Sequence, residues 1–267
     1  MRIFVQYRAE SRRMCQRMLT EQRKRHLLSL LKQDGRIVAK SVAAGLGLSE
    51  DTIRRDLREL AAEGLLQRVH GGALPASPAV GTLATRLSIG AADKAAIGRY
   101  AASMIRPGQT VFVDGGTTAM QLVNHLDHRL MATIVTHSPL VAGALADHAV
   151  DVLLIGGKLF KHSMVSVGVA ALRAVSEIRP DIFFMGVTGV HPTAGLTTGD
   201  PEEAAMKRAI ADTAAELVVM ASSEKIGAAS HFVIAPIERT DILITPAGTD
   251  QDSSTQFTAL GVDVRRV

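Results

Sequence analysis

Between residues 110 and 245, short apolar and β-branched runs alternate with helix-like stretches, and this alternation constrains the fold more than any other feature of the chain. The strand-like runs are 110–113, 133–136, 150–155, 181–185, 217–220 and 242–245, with helices predicted at 117–126, 139–146 and 201–216. Strands this apolar bury both faces, and strands joined through helices run parallel. A mostly parallel sheet covered on both sides is therefore expected, an α/β domain. Ala-rich 82–105, closed by Pro107-Gly108, reads as one more helix ahead of the first strand. At 267 residues and 47% hydrophobic content, the chain can bury this body and still hold a second domain.

That second domain lies upstream. Residues 23–32 form an amphipathic pattern that should stop at Asp34-Gly35, because glycine accepts the left-handed backbone of a helix end. Residues 38–46 give a short helix with Val42 and Leu46 four apart, and Gly47 leads into Ser49-Glu50-Asp51-Thr52-Ile53-Arg54-Arg55-Asp56-Leu57-Arg58. Ser49 is placed to cap the next helix. Ile53, Leu57 and Leu60 face inward at helical spacing, while Asp51, Thr52, Arg55 and Arg58 face outward with Arg54 on the flank. Residues 65–72 alternate apolar and polar and end in two glycines, as a short β-wing does. Three helices and a wing make a winged helix-turn-helix, whose last helix enters the major groove of double-stranded DNA. Ser49, Thr52 and Arg54 are the candidates for base edges, Arg55 and Arg58 for phosphates, and Arg68 and His70 of the wing complete the set. Taken alone, the same helix also reads as an ordinary solvated surface helix.

Charge favours the DNA reading. The net +4 divides into 15 Lys/Arg against 8 Asp/Glu in residues 1–75 and 15 against 18 in residues 76–267. A basic head on a mildly acidic body suits one module that meets a polyanion and one that does not. With no Trp, two Tyr and seven Phe, there are no stacking platforms for single-stranded nucleic acid. The lone cysteine, Cys15, excludes a disulfide framework and a Cys-based zinc site, and fits a reducing cytoplasm. His125 and His128 have helical spacing but no further clustered ligand, so no metal is expected. Residues 1–17 show no apolar run of the length a signal peptide or membrane span needs, and are read as a disordered arm or an over-long start. The Gly- and Pro-rich stretch Gly71-Gly72-Ala73-Leu74-Pro75-Ala76-Ser77-Pro78 reads as a linker. The division expected is an arm at 1–17, a DNA-binding domain at 18–73, a linker at 74–81, and an effector-binding and oligomerisation domain at 82–267.

In a parallel sheet, ligands sit at the carboxyl ends of strands, so the loops there matter most. Asp114-Gly115-Gly116-Thr117-Thr118 joins a strand to a helix, and its glycines, hydroxyls and helix-opening N–H groups suit a phosphate or another small oxyanion. A plain tight turn fits equally well. Asp114, when ionised, is no phosphate ligand; it would accept from a sugar hydroxyl or orient the loop. Thr136-His137-Ser138, Gly156-Gly157 and the Ser222-Ser223-Glu224-Lys225 turn close other strands and offer further polar groups. Each has a plainer reading: a hairpin at Gly156-Gly157, a surface charge at Lys225, and an ordinary i,i+4 pair at Glu203 and Lys207.

Ser49 to Leu57 with Arg68-Val69-His70-Gly71-Gly72-Ala73 resembles the DNA-binding domain of the DeoR-type bacterial sugar-metabolism regulators. The likeness continues through Asp114 to Thr118, Gly156-Gly157, the run 181–189, Glu202-Glu203-Ala204 and Lys207-Arg208. The resemblance implies a repressor of a carbohydrate catabolic operon, without a cofactor, whose C-terminal domain is similar to ribose-5-phosphate isomerase and CoA-transferase folds. Such a domain binds a phosphorylated sugar and thereby loses operator DNA. By resemblance, Asp114 to Thr118 form the phosphate-side loop, Thr136 to Ser138 a second pocket loop, and Lys225 a pocket-edge lysine. Here His137 stands where the family usually has Asn, and Ser222 where it usually has Asp, which would favour a more acidic guest such as a phosphorylated sugar acid. Paired half-sites imply a homo-oligomer, a dimer or tetramer. The rival readings are a sugar-phosphate isomerase-like enzyme and an architectural DNA-binding protein without an effector.

Overall fold

Gly35 and Gly47, both left-handed at φ 67° and 65°, end the helices Thr20–Asp34 and Ala39–Leu46 in the computed structural model, which describes residues 19–77 and 83–267. The expected arm at 1–17 and residues 78–81 of the expected linker lie outside the described residues. The chain divides into two compact units, Met1–Ala76 and Ser77–Val267.

In the first unit, Ser49 caps the helix Glu50–Ala62 by accepting from the Thr52 N–H. Strands β1 (Ile37–Val38), β2 (Leu66–Val69) and β3 (Gly72–Pro75) form an antiparallel sheet in the order β1-β3-β2, and complete a winged helix-turn-helix. The linker reading of Gly71 to Pro75 is therefore corrected, because Gly72 to Pro75 form a wing strand. A Cβ on Gly72 would fall 1.7 Å from the Ile37 carbonyl oxygen, so glycine is what lets β3 lie against β1. Leu27, Leu31, Ile53, Leu57, Leu60 and Leu66 fill the core. Beside them the sequence reading missed an ion pair. Arg23 Nη2 donates to Asp56 Oδ1 at 3.0 Å and Arg23 Nε to Oδ2, which ties the first helix to the third. Asp56 lies on the same inward face as Ile53, Leu57 and Leu60 and is wholly buried.

The second unit carries strands β4 (Thr110–Val113), β5 (Thr133–Thr136), β6 (Asp151–Leu154), β7 (Lys158–Phe160), β8 (Val165–Val167), β9 (Ile182–Gly186), β10 (Gly189–His191), β11 (Gly195–Thr198), β12 (Glu216–Met220), β13 (Phe232–Ala235), β14 (Ile242–Thr245) and β15 (Asp263–Arg266). Seven of them form one parallel sheet in the order β15-β14-β12-β9-β4-β5-β6. Alternate residues face opposite layers. Val111, Val113, Phe184 and Val218 pack against Ile97, Ala101, Ala119 and Leu122 on one side. Phe112, Phe183, Met185 and Val219 pack with Val175, Met206, Ile210 and Phe257 on the other.

Three local readings change. Within the helix expected over 82–105, the described residues form two helices, Leu83–Ser88 and Ala91–Met104, because the chain turns through left-handed Gly90 at φ 59°. The helix expected to reach 216 ends at Ala211, and Glu216 already belongs to β12. Two small antiparallel sheets, β7-β8 and β10-β11-β13, and the edge pair of Gln251–Ala259 with β15 were not foreseen. Their strands are too short or too polar for a period-two signal. The strand order matters for function. From β4 the chain builds outward through β5 and β6, then returns to pair β9 on the opposite side of β4. The switch point, and with it the crevice for a ligand, lies between β4 and β9.

Candidate functional site

Asp114 directly follows β4 at this switch point and is wholly buried. It accepts from the N–H groups of Gly115 (2.7 Å) and Gly186 (2.8 Å), from His137 Nε2 (2.8 Å) and from Lys207 Nζ (2.9 Å). His137 Nδ1 lies 3.0 Å from the Ser166 carbonyl oxygen, so both ring nitrogens face acceptors. Lys207, reaching in from the helix Pro201–Ala211, also bonds Glu203 (3.2 Å) and the Gly186 carbonyl (2.6 Å), while Thr198 Oγ1 donates to Glu203 (2.7 Å). Burial pushes the Asp114 carboxyl up, yet Lys207 and His137 together hold it far below the usual carboxylate range. Burial likewise opposes the Glu203 charge, and Lys207 outweighs it to leave that pKa lowered. Lys207 is raised despite burial by its two carboxylates. Each of these side chains has a partner, and the bonds from the Gly115 and Gly186 N–H groups to Asp114 fix the backbone of the next loop.

That loop opens into a cavity. Gly116, at φ 99°, turns the chain so that Thr117 and Thr118 start the helix Thr117–Asn124. Gly115 to Thr118, Gly186 to Thr188, Glu203, Lys207, Glu224 and Lys225 line the cavity together with Arg86, Ile89, Lys94 and Ser163. The enclosed space is about 30 Å³, room for little more than one or two waters. Two buried polar atoms of the lining lack a partner among the described residues, Thr118 Oγ1 and Arg86 Nε. The side chain of Lys225, a residue only 6% exposed, forms no hydrogen bond or ion pair among the described residues. Burial, with added repulsion from Lys94, Lys207 and Arg86 and only partial relief from Glu224, pushes its ammonium down to about 8. Four cations, two carboxylates, an open helix N-terminus and an unshared hydroxyl line the walls, a set of groups chemically suited to a small anion.

Of the loops singled out in the sequence, Gly115 to Thr118 and Lys225 reach this cavity, with Asp114 directly beneath it. Thr136, His137, Ser138, Gly156 and Gly157 do not line it. Thr136 Oγ1 accepts from the Ser138 N–H (3.1 Å), and Ser138 caps Pro139–Ala144 through the Val141 N–H (3.4 Å). Gly156 and Gly157 are exposed beyond β6, an edge strand. Ser222 is buried outside the lining, with its hydroxyl on Glu224 (2.7 Å). The expectation that His137 and Ser222 make the guest more acidic therefore loses its physical basis. Arg86, Lys94, Glu203 and Lys207 are the additions. A charged residue on an inward face was the available signal, since Lys94 shares its face with Ile97 and Ala101 and Lys207 with Ile210.

In the first unit, Asp51, Thr52, Arg54, Arg55, Arg58 and Arg68 line one shallow depression between the third helix and β2. Arg55, Arg58 and Arg68 are exposed, while Arg54 pairs with Glu50 at 2.7 Å. Ser49 Oγ bonds the Thr52 N–H (3.2 Å) and Thr52 Oγ1 (2.9 Å), so both hydroxyls sit at the helix opening. His70 is exposed at the β2–β3 turn, outside the depression. Among the described residues, no three His, Cys, Asp or Glu side chains cluster closely enough for a metal ion. No helix there is long and apolar enough to cross a membrane.

A basic winged helix-turn-helix on the same chain as an α/β unit with a cation-lined cavity defines a DNA-binding transcriptional regulator with a ligand-binding domain. Residues 23–78 match the DeoR-like helix-turn-helix domain and residues 90–247 the DeoR C terminal sensor domain. The chain belongs to the DeoR family. It is 36% identical over 251 residues to the HTH-type transcriptional regulator GlpR of Haloferax volcanii, covering 92% of this chain and 98% of that one. It is 31% identical to the HTH-type transcriptional repressor GlcR of Bacillus subtilis, over 85% of this chain and 89% of the relative. With the glycerol-3-phosphate regulon repressor of Escherichia coli it shares 32% identity, over 85% and 90%. Among solved structures, a ribose 5-phosphate isomerase A from Methanocaldococcus jannaschii overlaps 49% of this chain and 52% of its own at 17% identity and a TM-score of 0.37.

Proposed function

We propose that this regulator represses a carbohydrate catabolic operon and leaves its operator when a phosphorylated sugar or sugar acid enters the cavity of the second unit. The observation that carries the reading is the Lys225 side chain, on a residue 6% exposed and held by no hydrogen bond or ion pair among the described residues, on a cavity that also holds the unshared Thr118 hydroxyl and the start of a helix. A phosphoryl group supplies what these groups lack: an anion with several strong acceptor oxygens. Relatives named as a glycerol-3-phosphate regulon repressor and as the repressor GlcR point the same way. The protein acts in the cytoplasm as a homo-oligomer, since two recognition helices must meet two half-sites.

Against an isomerase-like enzyme stands the state of the carboxylates. Asp114 and Glu203 are held by Lys207 with depressed pKa values, which makes both weak general bases, and Glu224 accepts from the Ser222 hydroxyl at 2.7 Å. An effector that prefers the DNA-incompetent conformation weakens operator binding by its differential affinity, ~1–3 kcal/mol in typical cases. The test is operator-fragment binding with and without a panel of phosphorylated sugars and sugar acids, with the same compounds followed for turnover. Lowered affinity without turnover supports the repressor. Turnover supports the enzyme, and no binding of any of them supports the architectural protein.

A further inference from the structure

The cavity is far smaller than the ~300–1,000 Å³ of ordinary ligand sites, so a wall must move before a phosphorylated sugar fits. One wall is unlike the others. Arg86 and Ile89 belong to the helix Leu83–Ser88 and the turn that follows, the first described element of the second unit. Its Thr85, Leu87 and Ser88 are exposed, Leu87 by 54%. Two cations of the cavity hold it down. Lys94 Nζ donates to the carbonyls of Arg86 (2.5 Å) and Ile89, and Arg86 Nη2 donates to the carbonyl of His162 (2.6 Å). Lys94 is an unusual choice for this task. It is 3% exposed, it sits in the first turn of Ala91–Met104 where the helix dipole disfavours a cation, and burial lowers its pKa. Neutral carbonyls are weak compensation for a buried ammonium, and an anion is a strong one.

We propose that Lys94 is an anion ligand that doubles as a latch. An entering phosphoryl group takes the Lys94 N–H donors, the carbonyls of Arg86 and Ile89 are released, and the helix Leu83–Ser88 lifts from the cavity, drawing Arg86 off the His162 carbonyl. This rests on reading the cavity as a phosphate site. It adds the moving part, the helix Leu83–Ser88, which in sequence is the first described element of the second unit.

Hydrogen exchange on the full chain, with and without inorganic phosphate at millimolar concentration, separates the two ideas. The latch predicts slower exchange at residues 115–119 and about tenfold faster exchange at 86–90, the scale of losing one charge-assisted hydrogen bond. Protection at 115–119 with 86–90 unchanged or slowed overturns the latch and leaves the phosphate site standing. No change in either segment overturns both. The variant Lys94→Met provides a ligand-free check. Exchange at 86–90 should be about tenfold faster in the free protein while 97–104 and the central strands keep their protection. Unchanged exchange at 86–90 in that variant overturns the latch whatever the ligand does.

Discussion

Arg55, Arg58 and Arg68 stand in solvent, whereas Lys94, Lys207 and Lys225 are at most 6% exposed. The first set is fully hydrated and screened. It attracts any polyanion at range, gains affinity by releasing counterions, and weakens with salt. The second set is already stripped of most water, so an anion that reaches it meets little competition, and only a small one reaches it. One surface therefore suits a continuous phosphodiester backbone and the other a single phosphoryl group. Salt governs the first and pH the second.

The sharpest way to break this contrast is to remove a charge from each side. Asp114→Ala takes from buried Lys207 one of its two carboxylates and from buried His137 the acceptor of its Nε2, and should cost about 3–5 kcal/mol in urea unfolding. Arg55→Ala should stay within about 0.5 kcal/mol of the parent protein. Equal losses would mean that the buried network does not clamp the loop. Next in size is Lys225→Met, expected to weaken binding of a phosphorylated sugar by about 1.5–3 kcal/mol in calorimetry. The parent protein's affinity should fall as pH rises through about 8, because the lysine loses its charge there, and the variant should lose that decline.

Stability against pH tests the same groups. Asp114 and Glu203 have lowered folded pKa values, so their stabilisation is complete above the unfolded carboxylate range and drains as pH falls below about 4. Lys225 has the opposite sign for a cation: its burial penalty is present below about 8 and is relieved as pH rises towards the unfolded lysine value. Thermal melts from pH 3 to 10 should show an acid loss that Asp114→Ala blunts. The smallest effect belongs to the exposed side. Arg55→Ala or Arg58→Ala should each lower the slope of log affinity for DNA against log salt by about 1. An unchanged slope removes that arginine from the phosphate contacts.

Sequence periodicity showed the parallel sheet and the helix-turn-helix because both rest on burial, which hydrophobic spacing records. Ser49 was legible as a cap for the same local reason, and Gly72 was misread because its need arises from β1, more than thirty residues away. The cavity was half legible. Gly115 to Thr118 announced themselves by composition, but Thr136, Ser138 and His137 looked similar and turned out to serve their own backbone and Asp114. What separates these loops is strand order. Those after β4, β9 and β12 flank the switch point, whereas those after β5 and β6 lie on the far side of β4. No local pattern encodes that order. Lys94 and Arg86 were hidden because a lysine in an Ala-rich helix reads as surface charge until its neighbours are placed.

The claim that joins the two regions is that an anion in the cavity loosens the hold on DNA. It is tested by titrating the protein onto a duplex selected from random sequence, followed by fluorescence anisotropy, with and without a phosphorylated sugar that calorimetry shows to bind. The account predicts a fall in DNA affinity of about 5- to 150-fold, preserved in Arg55→Ala and abolished in Lys225→Met. An affinity for DNA that does not change with the cavity occupied would contradict it.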